Sequence, residues 1–156
     1  MATHEERLAE LGIQLPDVVP PVAAYVPAIV DGSLVYTAGQ LPMVSGALPL
    51  TGKVGDGHGL VPADDARDLA RTATLNALAA VKSVIGSLDR ITHVVKVTGF
   101  VASDPSFTGQ PGVVNGASLL LGEIFGDAGR HARSAVGVAV LPLDAPVGIE
   151  LIVAFE

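Results

Sequence analysis

Gly129-Arg130-His131-Ala132-Arg133-Ser134-Ala135-Val136-Gly137-Val138-Ala139-Val140-Leu141-Pro142 decides how this chain folds. Arg133 opens an apolar run that alternates like a strand, so a permanent cation stands at the mouth of packed core. A guanidinium keeps its proton inside a protein, and its planar fork matches a carboxylate held by two parallel hydrogen bonds. Arg133 is therefore a candidate anchor for a small carboxylate. The competing reading is a structural arginine paired with an acid at a subunit interface. Beyond the turn residues Pro142-Leu143-Asp144-Ala145-Pro146 a second strand-like run follows, so the chain ends in two strands, about 132–140 and 147–155.

Working back from there, Val113, Val114, Leu119, Leu120, Leu121, Ile124 and Phe125 predict a helix over 110–125. The β-branched run 91–101, closed by Asp104-Pro105, reads as a central strand. Leu69, Ala73, Leu75, Leu78, Val81 and Ile85 recur at helical spacing, giving a long helix over about 63–86, opened by Pro62 and stopped by Gly86. Tyr25 to Val30 and Leu34 to Ala38 form a hairpin about Asp31-Gly32, and the Gly-rich region Ser45 to Gly59 supplies a short third strand and a loop. Ahead of these, Leu8, Leu11 and Leu15 follow Glu5-Glu6 as a short amphipathic helix.

The order is β-β-β-α-β-α-β-β, an α+β arrangement with six strands in a mixed sheet and two helices on one face. The strands carry apolar residues at both parities, as in Val136 and Val138 against Ala135 and Ala139. The face away from the helices is thus apolar as well, which predicts self-association. Residues 1–19 read as an N-terminal extension and 20–156 as one domain.

Of the 156 residues 49% are hydrophobic and 16% charged, enough for one continuous core. A net charge of −7 with scattered cations argues against nucleic-acid binding, which relies on clustered Lys and Arg. With no cysteine the chain has no disulfide, thiolate metal site or cysteine nucleophile, in keeping with a cytoplasmic location. No apolar stretch approaches the roughly 20 residues that span a bilayer, so no membrane partner is expected. His4, His58, His93 and His131 fall at no metal-ligand spacing, and Lys53 to Gly59 lacks the spacing of a phosphate loop.

Tyr36-Thr37-Ala38-Gly39-Gln40-Leu41-Pro42, Asn76, Val94-Val95-Lys96-Val97, Asn115, and above all Ala132-Arg133-Ser134-Ala135-Val136 with Leu141-Pro142 and Ile149-Glu150 stand in an order that resembles the Rid/YjgF family. That family was formerly labelled translation-inhibitor or L-PSP endoribonuclease, and the match covers nearly all of 20–156. The N-terminal extension and the loop at 52–59 are similar to a longer-chain subgroup. The resemblance implies a chorismate-mutase-like fold, a homotrimer with ligand clefts between subunits, and hydrolysis of reactive enamines and imines such as 2-aminoacrylate to a 2-keto acid and ammonia. No cofactor or metal is implied.

Carried onto this sequence, the resemblance implies that Arg133 holds the substrate carboxylate and that Gly39 adds a backbone N–H. Tyr25 lines the cleft from the adjacent subunit, and Ala135 and Asn115 lie on the substrate side. Two departures bear on catalysis: the signature serine is Ala38, and the acid that archetypal members carry two residues before Glu150 is Gly148. Glu150, on the same strand face as position 148 but about 7 Å along, is the remaining acid for activating water. Losing those groups opens a second reading, a noncatalytic trimer that recognises small carboxylates. The acidic charge leaves endoribonuclease activity as the weakest of the three.

Overall fold

The computed structural model describes residues 1–21 and 23–156. Its elements are α1 (His4–Glu10), β1 (Ala28–Asp31), β2 (Leu34–Thr37), α2 (Ala63–Ile85), β3 (Ile91–Ala102), α3 (Gln110–Phe125), β4 (Ala132–Val138) and β5 (Val147–Phe155), with single 3-10 turns beside β3, α3 and β5. The sheet runs β1-β2-β5-β3-β4. Only β3 and β4, which flank α3, are parallel, as a helical crossover requires.

The sheet therefore has five strands, not six. The third strand expected between Ser45 and Gly59 is absent because positive φ recurs at Ser45, Gly46, Gly52, Gly57 and Gly59. Extended backbone is broken every few residues, so only single bridges form, such as Val44 with Ala47 and Val54 with Val61. β1 also starts later than expected, at Ala28 just past Pro27, which leaves Tyr25 outside the sheet. Asp31 pairs with Leu34, so the hairpin loop is Gly32-Ser33, with Gly32 at φ 61°.

α2 and α3 lie together on one face and enclose a core of Val97, Val101, Ile149, Leu151 and Val153 from the sheet with Leu78, Val81, Leu120 and Leu121 from the helices. Two glycines set how closely α3 sits. A Cβ on Gly116 would fall 2.0 Å from the Arg67 carbonyl oxygen on α2, and one on Gly99 2.4 Å from Val114. α1 carries a capping box of Thr3 and Glu6. Glu5 ties it to the body through Lys82 Nζ at 2.9 Å, and His4 stands edge-on to Phe125.

The other face is open and partly apolar: Ile29, Tyr36 and Val136 are exposed on it. Register places Lys96, Thr98 and Phe100 on this same face, with Ala132, Ser134 and Val136 on one side and Ile152, Glu150 and Gly148 on the other.

Candidate functional site

Arg133 pairs with Val97, which is fully buried beneath the helices, so its side chain lies on the helix face of β4. There α3 receives it. Nη1 donates to Asn115 Oδ1 at 2.8 Å and to Ser118 Oγ at 3.2 Å, and Nη2 donates to the Pro111 carbonyl at 3.3 Å. Asn115 and Ser118 are three apart on the helix and so share a face. Among the described residues no carboxylate lies within ion-pair distance of Arg133. Three of its five N–H groups are occupied. Nε–H and one Nη2–H remain, enough for a two-point grip on an anion.

Sequence reasoning missed Ser118 and the Pro111 carbonyl. The Asn115-x-x-Ser118 spacing was the available signal for the first. His131 precedes β4 rather than sharing its face, yet its ring reaches the same cluster: Nε2 lies 2.9 Å from Ser118 Oγ and Nδ1 2.6 Å from the Gly129 carbonyl oxygen. Ala135, half-buried on β4 opposite Gly99, lies two residues further along.

Tyr25 and Gly39 come together elsewhere. With Val19, Pro20, Gln40 and Met43 they line a cleft of about 30 Å³, room for about one water. Asn76, buried on α2, holds this segment by donating both amide hydrogens, to the carbonyls of Leu41 and Met43 at 3.0 Å each. The N–H of Gly39 has no acceptor among the described residues, and nothing stands within 4 Å of where its Cβ would be. Thr37 offers no substitute hydroxyl beside Ala38, because its Oγ1 accepts from the buried N–H of Leu151 at 2.9 Å.

These two groups do not meet within one chain. Gln40 bridges to Ile149, Ile149 pairs with Gly99 and Gly99 with Ala135. Three interstrand steps separate the Gly39 segment from β4, about 14 Å of backbone. Glu150 is displaced in another sense: it faces away from the helices, beside Thr98, on the opposite side of the sheet from Arg133. It has no hydrogen-bond or ion-pair partner among the described residues, and burial pushes its carboxyl above the usual value. A Cβ at Gly148 would make only ordinary contacts, the nearest 3.8 Å from the Gln40 carbonyl oxygen.

Residues 5–155 match the family described as "YjgF/chorismate_mutase-like, putative endoribonuclease". The chain belongs to that family. It is 40% identical over 147 residues to Protein TCP17 of Trypanosoma cruzi, covering 94% of this chain and 90% of that one. The crystal structure of Atu1372 from Agrobacterium tumefaciens, a protein of unknown function, is 45% identical. It matches with a TM-score of 0.88 over 98% of this chain and 92% of its own. E. coli TdcF, solved with bound serine, is more distant: 26% identity and a TM-score of 0.62, over 90% of this chain and 93% of that one. In this YjgF-family chain no helix among the described residues is long and apolar enough to cross a membrane.

Proposed function

We propose that this chain is a deaminase of reactive enamines and imines derived from amino acids, acting in clefts between the subunits of a homotrimer. The observation that carries this reading is Arg133, a cation braced on three sides by neutral acceptors with two N–H groups left over. Such a group is preorganised to take a carboxylate, and the acids that would otherwise neutralise it are not nearby. The serine in TdcF supports a ligand of the same type, a carboxylate on a small amino-acid skeleton.

The same geometry supports the association. Tyr25 and Gly39 on one side of the sheet and Arg133 on its far edge strand complete one site only when supplied by two copies. The exposed Ile29, Tyr36 and Val136 give the open face an apolar surface to cover. In the assembled cleft Arg133 fixes the carboxylate and the free N–H of Gly39 adds a hydrogen bond, while Tyr25 closes the pocket. Water adds to C2 of the protonated imine, the C–N bond breaks, and ammonia leaves with the 2-keto acid. The iminium carbon is already electrophilic, so orientation contributes more than a strong base.

Keto-acid release from freshly generated 2-aminoacrylate tests this. Arg133→Ala is expected to abolish the enzyme-dependent rate, and a variant as fast as the parent refutes the proposal. Ala38 and Gly148 favour a second reading, a noncatalytic carboxylate-binding trimer, since neither position supplies a proton-handling group. Arg133-dependent acceleration above the buffer rate eliminates it. Ribonuclease activity, the label of the family, has the least support, given a net charge of −7.

A further inference from the structure

The direction of each hydrogen bond around Arg133 can be worked out from the chemistry of its partners. The Gly129 carbonyl oxygen can only accept, so the hydrogen between it and His131 sits on Nδ1. In a neutral ring Nε2 is then an acceptor, and Ser118 Oγ, 2.9 Å away, donates its one hydrogen there. With that hydrogen committed, the Ser118 oxygen presents its lone pairs to Arg133 Nη1 at 3.2 Å. We infer that His131 and Ser118 are positioning residues: a one-way relay from Arg133 through Ser118 and His131 to the Gly129 carbonyl that fixes the roll of the guanidinium.

The consequence lies in which N–H groups stay free. Asn115 holds one Nη1 hydrogen and Ser118 the other, so the end of the fork is pinned at both positions. That leaves Nε–H and one Nη2–H without an acceptor among the described residues. Were the Ser118 hydroxyl free to rotate, its hydrogen would compete for the same space as Nη1–H, and the fork would lose its single orientation. The relay is rigid at its far end as well. Gly129 is buried, and a Cβ there would fall 2.4 Å from the Leu121 carbonyl oxygen of α3, so the residue that supplies the accepting carbonyl has its Cα packed directly against the helix that carries Ser118. His131 is thus set relative to Ser118 by backbone packing rather than by a flexible loop.

This inference rests on Arg133 being the carboxylate anchor, and the experiment separates the two. Calorimetry with pyruvate as probe is run on the full chain and on Arg133→Ala, Ser118→Ala, Ser118→Thr, His131→Ala and the Ser118→Ala/His131→Ala double variant. Nitrogen-15 NMR of the His131 ring in the parent protein reports the tautomer independently of binding. The expected pattern is Nδ1–H for His131, no measurable binding in Arg133→Ala, about tenfold weaker binding for Ser118→Ala and for His131→Ala, parent-like binding for Ser118→Thr, and a double variant no weaker than Ser118→Ala alone. Additive losses in the double variant, an Nε2–H tautomer, or a Ser118→Thr as weak as Ser118→Ala overturns the relay. Loss of pyruvate binding in Arg133→Ala with parent-like Ser118→Ala and His131→Ala also overturns it while leaving the anchor standing. Parent-like binding in Arg133→Ala overturns the anchor itself.

Discussion

Replacing Arg133 by lysine separates charge from geometry at the candidate site. The guanidinium has five N–H groups, of which three bond Asn115, Ser118 and the Pro111 carbonyl and two are available to an anion. An ammonium has three on a single nitrogen and no fork. It keeps the unit charge, yet it cannot satisfy the α3 acceptors and grip both carboxylate oxygens at once. Losing one of two charge-assisted hydrogen bonds costs about 1.5–3 kcal/mol, or roughly a 10- to 150-fold weaker Kd for a 2-keto acid. Arg133→Ala loses both, about 3–6 kcal/mol on the same scale, enough to remove measurable binding. Titration calorimetry with pyruvate reads the three proteins side by side. Melting temperatures serve as the folding control, since Asn115 is exposed and Ser118 only half-buried. Parent-like affinity in Arg133→Lys refutes the two-point grip and leaves a site that reads charge alone.

Four further substitutions test the scaffold and Glu150. Gly116→Ala places a Cβ 2.0 Å from the Arg67 carbonyl oxygen and is expected to destabilise by about 2–4 kcal/mol in urea unfolding, whereas Gly122→Ala on the open side of α3 is expected to stabilise by about 0.5–1 kcal/mol. Equal effects at the two positions would contradict the close helix contact. Thr37→Val leaves the buried Leu151 N–H without its acceptor and is expected to cost about 1–3 kcal/mol in the same assay; an unchanged midpoint would mean that bond is dispensable. The Glu150 carboxyl is raised by burial, so the folded state holds its proton more tightly than the unfolded state does, and stability falls as pH rises through the carboxylate range. Glu150→Gln is therefore expected to melt higher than the parent at neutral pH, with the gap closing below the ordinary glutamate value near 4.5; a gap that widens on acidification would reverse that reasoning.

The helices and the two C-terminal strands are legible in the sequence because their signals are local and repeated. Leu69, Ala73, Leu78 and Val81 mark one face of α2 over about three and a half turns, and Pro62 and Gly86 bound the helix. The missing sixth strand shows where such signals run out. Between Ser45 and Gly59 the composition has the length of a strand and a loop, but strand pairing requires several successive residues in extended backbone, and glycines at positive φ interrupt it at 46, 52, 57 and 59. The start of β1 escapes the sequence for a related reason. Tyr25 and Val26 look like strand residues, yet Pro27 has no N–H to give a ladder; its carbonyl accepts from Ala38, and the strand itself starts at Ala28.

The site divides along the same line between local and nonlocal information. Arg133 stands out in one dimension because a cation before an alternating apolar run is anomalous wherever the chain goes. What surrounds it depends on α3 lying close across β3 and β4, and that closeness is set by absent side chains, at Gly99 and Gly116, whose meaning appears only when the facing Val114 and the Arg67 carbonyl are in place. Once α3 is seated, parity does the rest. Arg133 turns inward under the helix with Ser118 and Asn115, while Glu150, paired through Thr98 to Ser134, turns to the opposite face. A cleft that used both residues would need the helix-side edge of one subunit and the open sheet face of another. The separation of Arg133 from Glu150 is therefore an argument about assembly: the more firmly both are tied to one reaction, the less a single chain suffices to perform it.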